Sequence, residues 1–245
     1  MSQIMICLKT NKISPNFLLL ATQRMKNKIP VLVILIMMQF HWAFSQKIIN
    51  EASFKYDIAI ETSENNSLRK SFEGAYIYIF LRSEKSRTDL ITKLGQESAL
   101  YDNAVSAGTI LKEYSGQKLM ITLTKEDWEE KFADFQGLIF SNTGEEKTIN
   151  GYECKKAIAK LNDGDEVVVF YAPDLVLKNK TYSYAFSKLN GLPIMFELTS
   201  LGLKFKYLLS SISYEPVSVN KFEVSNISQY RVISYKEAVI QKKGN

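Results

Sequence analysis

Few residues of the chain are of a type that could carry out catalysis or bind a metal. The chain has one histidine, His41, and two cysteines, Cys7 and Cys154. A cysteine nucleophile needs a nearby base or positive charge, and no histidine follows residue 41 to act as the base. Cys154 lies in the alternating run 152–157, so we interpret it as a small buried hydrophobic side chain. The same shortage of histidine and cysteine argues against zinc sites of the common type.

An acidic group at Asp163, Asp165 and Glu166 could suggest a cation site. The run 162–165 reads Asn-Asp-Gly-Asp, however, which is typical of a hairpin turn, and the other ligand positions of a calcium-binding loop are missing. We therefore interpret these carboxylates as a solvated turn. The sequence also contains no phosphate-binding loop and no dinucleotide-binding fingerprint. We expect no cofactor and no metal, and an enzyme is the least favoured class of function.

Residues 25–45 have the features of a cleaved signal peptide. A basic start after Met25 leads into an apolar core over residues 31–40, and small residues precede an expected cleavage after Ser45. The apolar run is shorter than the roughly 20 residues of a membrane-spanning helix. We expect residues 1–45 to comprise a leader and a signal peptide that starts at Met25. Residues 1–24 are either a wrongly assigned start or an unstructured leader. An uncleaved anchor and a buried helix remain as alternatives.

The expected cleavage changes the charge of the protein. Residues 1–45 hold five basic residues and no acidic one, and they account for the whole formal net charge of +5. A neutral remainder disfavours nucleic-acid binding, which depends on a positive surface. Residues 46–245 have the length and the aromatic content of a single folded domain. No transmembrane segment is expected after cleavage, and the protein is predicted to be exported.

Alternation of apolar and polar residues dominates the domain and predicts β-strands. Turn residues such as Ser115-Gly116 and Leu201-Gly202 separate several of these strands. Because the connections are short, the sheet should be mainly antiparallel. The predicted fold class is α+β and mainly β. Strands are predicted at about 54–60, 75–82, 86–93, 108–114, 118–123, 151–160, 166–172, 193–199, 203–210 and 220–224.

One helix is predicted with a clear start. Thr124 can cap a helix whose first turn is acidic, and Trp128, Phe132 and Phe135 then form one apolar stripe. Such a stripe usually faces a core, and the alternative is a lid over a cavity. A short helix near 180–189 and a polar helix at 234–243 are further predictions.

Two strands are apolar on both faces. In 75–82 one face carries Ile77 and Ile79, and the other carries Tyr76, Tyr78 and Phe80. Strand 166–172 behaves in the same way: Val167, Val169 and Tyr171 lie on one face, and Val168 and Phe170 on the other. We therefore expect both faces to be covered, with Tyr78, Phe80, Val168 and Phe170 buried. Helices can cover one face, and the other face then needs a further layer of the fold, a barrel interior, a ligand or a partner. A core filled by side chains is the alternative to a cavity.

Three segments of the C-terminal half resemble a known family. They are GYECKKA at 151–157, VVFYAPDL at 168–175 and NGLPIMFEL at 190–198, and residues 222–224 with Tyr230 match a closing segment. In this order the segments resemble the small secreted proteins of the GLPGLI type and, more distantly, the LolA-like carriers of outer-membrane lipoproteins.

The resemblance implies a strongly curved antiparallel sheet that forms a half-open barrel with one or two helices over its mouth. In the carriers the cavity of this barrel takes lipid acyl chains. The sequence departs from the GLPGLI pattern at Ile194, where the family has a second glycine. The resemblance implies no catalytic residues.

Two non-catalytic functions follow from these observations. The first is a periplasmic carrier or binding module for an apolar ligand such as a lipid or lipoprotein acyl chain. The second is a cell-envelope module whose sheet binds another protein. If the protein is a carrier or binding module, the residues expected to line its apolar cavity are Tyr76, Tyr78, Phe80, Trp128, Phe132, Phe135 and Phe170.

Overall fold

The secondary structure follows the alternation of the sequence along most of the chain. The computed structural model describes residues 46–61, 67–200 and 202–243, without the side chains of residues 67, 68 and 243. The expectations for the leader and signal peptide at 1–45 lie outside these residues. From Gln46 onward the chain forms one compact unit. None of the helices in the described ranges is long and apolar enough to cross a membrane.

The described residues form mainly strands, with three short α-helices and short 3-10 turns. The helices are α1 (Ser67–Ser71), α2 (Lys125–Lys131) and α3 (Tyr235–Lys243). The strands are β1 (Lys47–Ile49), β2 (Glu51–Glu61), β3 (Tyr76–Arg82), β4 (Lys85–Thr92), β5 (Gly95–Asp102), β6 (Ala107–Tyr114), β7 (Gln117–Leu123), β8 (Ser141–Ile149), β9 (Tyr152–Lys160), β10 (Glu166–Ala172), β11 (Leu175–Leu177), β12 (Leu192–Ser200), β13 (Leu203–Ser213) and β14 (Arg231–Ser234).

Twelve strands form one large curved sheet, in the order β14-β7-β6-β5-β4-β3-β2-β13-β12-β10-β9-β8, and the sheet does not close on itself. Eleven of these strands form two antiparallel meanders, β2 to β7 and β8-β9-β10-β12-β13. The meanders join where β2 pairs with β13. Strand β14 then adds in parallel to β7, and β1 pairs in parallel with β11 outside the main sheet. The predicted class, mainly β with an antiparallel sheet, is confirmed at this level.

The two faces of the sheet differ in what covers them. The inner face, which carries Tyr56 on β2 and Ile79 on β3, holds most of the buried core. Helix α2 packs over the β5–β7 part of this face through Trp128, and Phe186 of a loop contacts Phe196 on β12. Cross-strand pairs share a face, so the register of β3 places Tyr78 on the opposite, outer face, together with Asp89 of β4.

Several predicted elements are confirmed, and three others are not. The hairpin at 162–165 connects β9 to β10, and Gly164 there has φ +94°, which favours glycine. The polar helix predicted at 234–243 is α3. The predicted strand at 220–224 is wrong, because residues Val219–Phe222 form a 3-10 turn. The helix expected near 180–189 is reduced to the 3-10 turn Tyr184–Phe186, and the helix from Thr124 ends before Phe135.

The chain after β13 crosses the outer face of the first meander. We call residues 214–230 the crossing segment. The backbone N–H of Val217 donates to Glu51 Oε1 at 2.7 Å, and Arg82 Nη1 donates to the Val217 carbonyl at 2.6 Å. These bonds tie the segment to β2 and β3 before it continues to β14.

The crossing segment covers an ion pair on the outer face. Arg87 Nε lies 2.6 Å from Asp89 Oδ1, and their side chains are 16% and 9% exposed. Arg87 also donates to the Lys221 carbonyl at 2.9 Å. Lys221 in turn places its ammonium 4.8 Å from the ring centre of Phe80. The segment therefore covers part of the aromatic surface of β3.

Candidate functional site

A cavity of about 230 Å³ lies on the inner face, where the two meanders join. Side chains of β2, β3, β12 and β13 form its floor, and α2 with the turn after it and the loop before β12 form its cover. The principal floor residues are Tyr56, Ile77, Ile79, Phe196, Leu198 and Tyr207. The principal cover residues are Trp128, Phe132, Phe135, Tyr182, Tyr184 and Phe186.

A local capping motif fixes the start of α2. Thr124 Oγ1 accepts a hydrogen bond from the Asp127 N–H at 3.2 Å, and the Thr124 N–H donates to Asp127 Oδ2 at 3.0 Å. This reciprocal capping box satisfies two N–H groups at the helix start. It thereby places Trp128 one turn into the helix, where its side chain reaches the inner face.

Aromatic rings continue from α2 across the cavity cover. The Trp128 ring stacks on Tyr101 of β5 with ring centroids 4.6 Å apart, and Phe132 follows at 5.1 Å from Trp128. Phe132 then stacks on Tyr184 in the loop before β12, at 5.7 Å. Gly108 of β6 makes room for this arrangement, because a Cβ there would lie 2.5 Å from Trp128 Cε3.

The loop that supplies Tyr182 and Tyr184 is held by a polar cluster at one end. The buried Asn179 donates through Nδ2 to the Ser83 carbonyl at 3.2 Å, and its Oδ1 accepts from the Thr181 N–H at 3.2 Å. Thr181 Oγ1 lies 2.8 Å from Asn103 Oδ1. Two turns of the first meander therefore fix this loop over the inner face.

The cavity is uncharged but not wholly apolar. None of the described residues that border it is Lys, Arg, Asp or Glu. Burial raises the pKa of Tyr207 to about 12 and that of Tyr182 well above the usual range, so both hydroxyls stay protonated near neutral pH. The Tyr56 hydroxyl donates to the Pro193 carbonyl at 2.7 Å. Such a surface suits an apolar ligand with few polar groups.

The indole nitrogen of Trp128 has no hydrogen-bond partner. Trp128 is 4% exposed, and its Nε1 is the one buried side-chain nitrogen or oxygen without a partner in the described part of the chain. Buried donors in native proteins are nearly always satisfied. Trp128 borders the cavity, so this donor marks an unsatisfied polar position in a largely aromatic cover.

The cavity brings together three of the seven residues predicted to line it. Trp128, Phe132 and Phe135 all border it, although Phe135 lies in a 3-10 turn after the end of α2. The placement of Tyr76, Tyr78 and Phe80 is corrected: they form a ladder of rings on the outer face.

The register of the sheet explains this correction. Ile77 and Ile79 of β3 pair with Tyr56 and Phe54 of β2, and these four side chains share the inner face. Both faces of β3 are apolar, so its own pattern does not reveal which one borders the cavity. The side chains of Tyr78 and Phe80, predicted to be buried, are half-buried.

Phe170 is buried as predicted but does not border the cavity. It pairs with Met195 of β12 and Lys156 of β9 on the outer face, and the Lys156 ammonium lies 5.6 Å from its ring centre. Val168 lies on the same face and is half-buried. Residues of β10 are therefore part of the core and of the outer surface, and none of them contributes to the lining.

Sequence reasoning missed the loop before β12 as part of the site. Tyr182, Tyr184 and Phe186 occupy alternate positions there and cover the cavity. Their spacing is a visible signal, but it resembles a short strand. The small residues Ser86, Thr88 and Ala99 leave room for the cavity on β4 and β5, and nothing in their local pattern indicates this.

The motif around Gly191 has a structural explanation. A Cβ on Gly191 would lie 2.4 Å from the Ala172 carbonyl oxygen, so only glycine lets β12 start this close to β10. Pro193 lies opposite Tyr171, next to the register shift between Phe170 and Tyr171. Ile194 is fully buried. These residues therefore hold the sheet together and lie outside the cavity.

Three solved structures are distantly similar to this chain. Two crystal forms of PNGF-II match with 16% identity over 78% of this chain, with TM-scores of 0.43 and 0.44. The match spans about a third of PNGF-II, 33% of its chain. LprF from Mycobacterium bovis matches 69% of this chain and 88% of its own at 9% identity, with a TM-score of 0.32. No family model and no curated protein sequence matches the chain.

Proposed function

We propose that the protein is an exported carrier or binding module for an apolar ligand, such as a lipid or lipoprotein acyl chain. The observation that carries this proposal is the uncharged cavity, lined largely by aromatic side chains, on the inner face of an open curved sheet. The GLPGLI-type and LolA-like motifs support the same function, since a half-open barrel with a covered mouth is what they imply.

The size of the cavity limits what it can hold. An engineered cavity of about 150 Å³ is large enough to bind benzene, whereas pockets for drug-sized ligands span about 300–1,000 Å³. At about 230 Å³, the cavity fits one segment of an acyl chain and not several whole chains. Each buried methylene contributes about 0.8 kcal/mol, so even a short segment would give measurable affinity.

We further propose that the protein acts in the periplasm or outside a Gram-negative cell and has no enzymatic activity. Export rests on the signal-peptide features of residues 25–45 and predicts an exported form that begins at Gln46. Terminal sequencing of the protein from a periplasmic fraction tests this. A membrane-retained product that still carries residues 25–45 would contradict it.

A second candidate function, protein interaction, rests on a separate observation. Tyr76, Tyr78 and Phe80 form a half-buried aromatic ladder on the outer face, and Lys55 lies 4.9 Å from the Tyr76 ring centre. Aromatic side chains are enriched at protein–protein interfaces. In this function the inner cavity would remain empty and the outer ladder would contact the partner.

Two matched substitutions distinguish these functions. Phe132→Asp places a charge in the cavity cover, whereas Tyr78→Asp places the same charge on the outer face. Binding of a fluorescent fatty-acid analogue, and lipid adducts seen by native mass spectrometry, should weaken in Phe132→Asp and persist in Tyr78→Asp. Equal loss in both variants, or a wild-type protein that never binds, would favour the interaction module.

A further inference from the structure

The inference concerns the unpartnered indole N–H of Trp128 and rests on the proposed binding function. One edge of the indole, with Cε3 and Cζ3, packs against Gly108 of β6. The Nε1 atom belongs to the opposite edge of the ring. It therefore lies away from Gly108, and Trp128 is one of the residues that border the cavity.

Water does not satisfy this donor in the closed arrangement, since less than 1 Å² of Nε1 is accessible. In the cover, the Phe132 ring contacts the Trp128 ring, and Tyr184 stacks on Phe132. A ligand that separates these two rings would bring its own atoms to the indole. The cost of leaving a buried donor without a partner is then relieved when the ligand supplies an acceptor.

The geometry points to an acyl carbonyl as that acceptor: the cavity selects an alkyl chain that ends in a neutral ester or amide, and Trp128 Nε1 donates to its carbonyl oxygen. Tyr182, Thr88 and Ser86 also border the cavity, and their hydroxyls are candidate donors to the second ester oxygen.

The absence of a cation excludes a free carboxylate as the preferred head group. None of the described lining residues is charged, so an ionised carboxylate would lose its hydration without gaining an opposite charge. A neutral carbonyl has a much smaller desolvation cost, which one N–H donor can offset. The ligand class is therefore an esterified or amide-linked acyl chain, as opposed to a free fatty acid.

The test compares three probes of similar length on the full chain: methyl octanoate, octanoate at neutral pH and 1-nonene. Wild-type protein should bind methyl octanoate most tightly. In Trp128→Phe, which keeps an aromatic ring but removes the N–H, methyl octanoate should bind about three- to tenfold more weakly. The affinity for 1-nonene, which has no carbonyl, should stay unchanged and controls for the altered ring shape.

Nuclear magnetic resonance of ¹⁵N-labelled wild-type protein gives a readout that does not depend on the variant folding. The chain has two tryptophans, Trp42 and Trp128, so at most two indole signals need assignment. The Trp128 indole proton should move downfield with methyl octanoate and less with 1-nonene.

Three results would overturn the inference. If methyl octanoate and 1-nonene move the indole signal equally, or if Trp128→Phe weakens the binding of both equally, Trp128 only shapes the cavity. The proposed binding function would still stand. If octanoate binds as tightly as its ester, the selection for a neutral carbonyl is wrong. If no probe binds, the proposed function itself fails.

Discussion

Phe132 and Tyr184 stack nearly parallel, with ring planes 6° apart, although one follows α2 and the other lies in the loop before β12. No backbone hydrogen bond between described residues is recorded across these two segments. Their ring contact therefore joins the two halves of the cavity cover. Because the contact is between side chains, it can separate and re-form without unfolding either segment.

Filling the cavity should reduce ligand binding. Ala99 on β5 borders the cavity, and Ala99→Leu would occupy space that about three methylenes of a ligand could use. At about 0.8 kcal/mol per methylene, affinity for an acyl probe should fall by about 2 kcal/mol, or roughly thirtyfold. Fluorescence titration measures the change. Ala104→Leu, in an exposed turn, is the matched control, and equal loss in both variants would contradict the assignment of the cavity.

A side chain at Gly108 should destabilise the protein through Trp128. The Cβ of Gly108→Ala would lie 2.5 Å from Trp128 Cε3, so the helix or the ring must shift. Such overpacking costs about 1–3 kcal/mol of unfolding free energy, measurable by urea denaturation. In a Trp128→Leu background most of this cost should vanish. An unchanged cost in that background would mean that the strain comes from β6 itself.

The pH dependence of the protein's stability should reflect the hydrogen bond between Glu113 and Tyr230, the last residue of the crossing segment. A hydrogen bond donated by the Tyr230 hydroxyl, more than any other influence, lowers the pKa of Glu113 below its usual 4.5. The stabilisation from this carboxylate is therefore full above pH 4.5 and is lost as the pH falls through the lowered pKa. Titration by ¹³C nuclear magnetic resonance should show the pKa of Glu113 rising in Tyr230→Phe.

The same hydrogen-bonded pair predicts that stability is lost as the pH rises at alkaline pH. Burial first, and then the bond to Glu113, raises the pKa of Tyr230 from 10.0 to about 12. The stabilisation from the neutral phenol is therefore present below pH 10.0 and is lost as the pH rises through about 12. Tyr214→Phe, at an exposed tyrosine, serves as the control for both the acidic and the alkaline prediction. A Glu113 titration that is identical in Tyr230→Phe would contradict the pairing.

Cys154 should resist alkylation while the protein is folded. The thiol is 2% exposed, and burial raises its pKa to about 11, so the reactive thiolate is scarce at pH 8. In a Cys7→Ser background, iodoacetamide should label Cys154 only when urea unfolds the chain, as mass spectrometry can follow. Labelling of the folded protein at the rate of a free thiol would show that the β9 region opens readily.

Local patterns predicted most strands because their apolar residues, alternating or continuous, are bounded by polar turns. Strand β2 alternates between buried and more exposed positions as a half-buried strand should, and Gly164 gives a clear turn. Strand β5 was missed because it shows no clear alternation: Ser98 is buried, and the neighbouring Leu100 and Tyr101 are both buried although they lie on opposite faces. Strand β8 was missed because it is an edge strand, exposed at nearly every position, and lacks an apolar face.

The candidate site was predictable only in its local part. Thr124 and the spacing of Trp128 and Phe132 lie within one helical turn or two, so the sequence reveals the capping box and the aromatic stripe. The floor depends on which face of β3 meets β2 and β13. Pairing between segments distant in the sequence decides which face of β3 is the inner one. Because Tyr76–Arg82 is apolar on both faces, its own sequence does not show which face that is.

The joining of β2 to β13 also has a consequence for the order of folding. Residue 53 pairs with residue 213 and residue 61 with residue 204, so the middle of the sheet forms between nearly opposite ends of the described chain. Each meander can form from its own hairpins. The pairing of β2 with β13 requires closure of a very long loop, so we expect it to be the slow step of folding. A chain interrupted before residue 203 would leave β2 as an open edge, prone to pairing with other molecules.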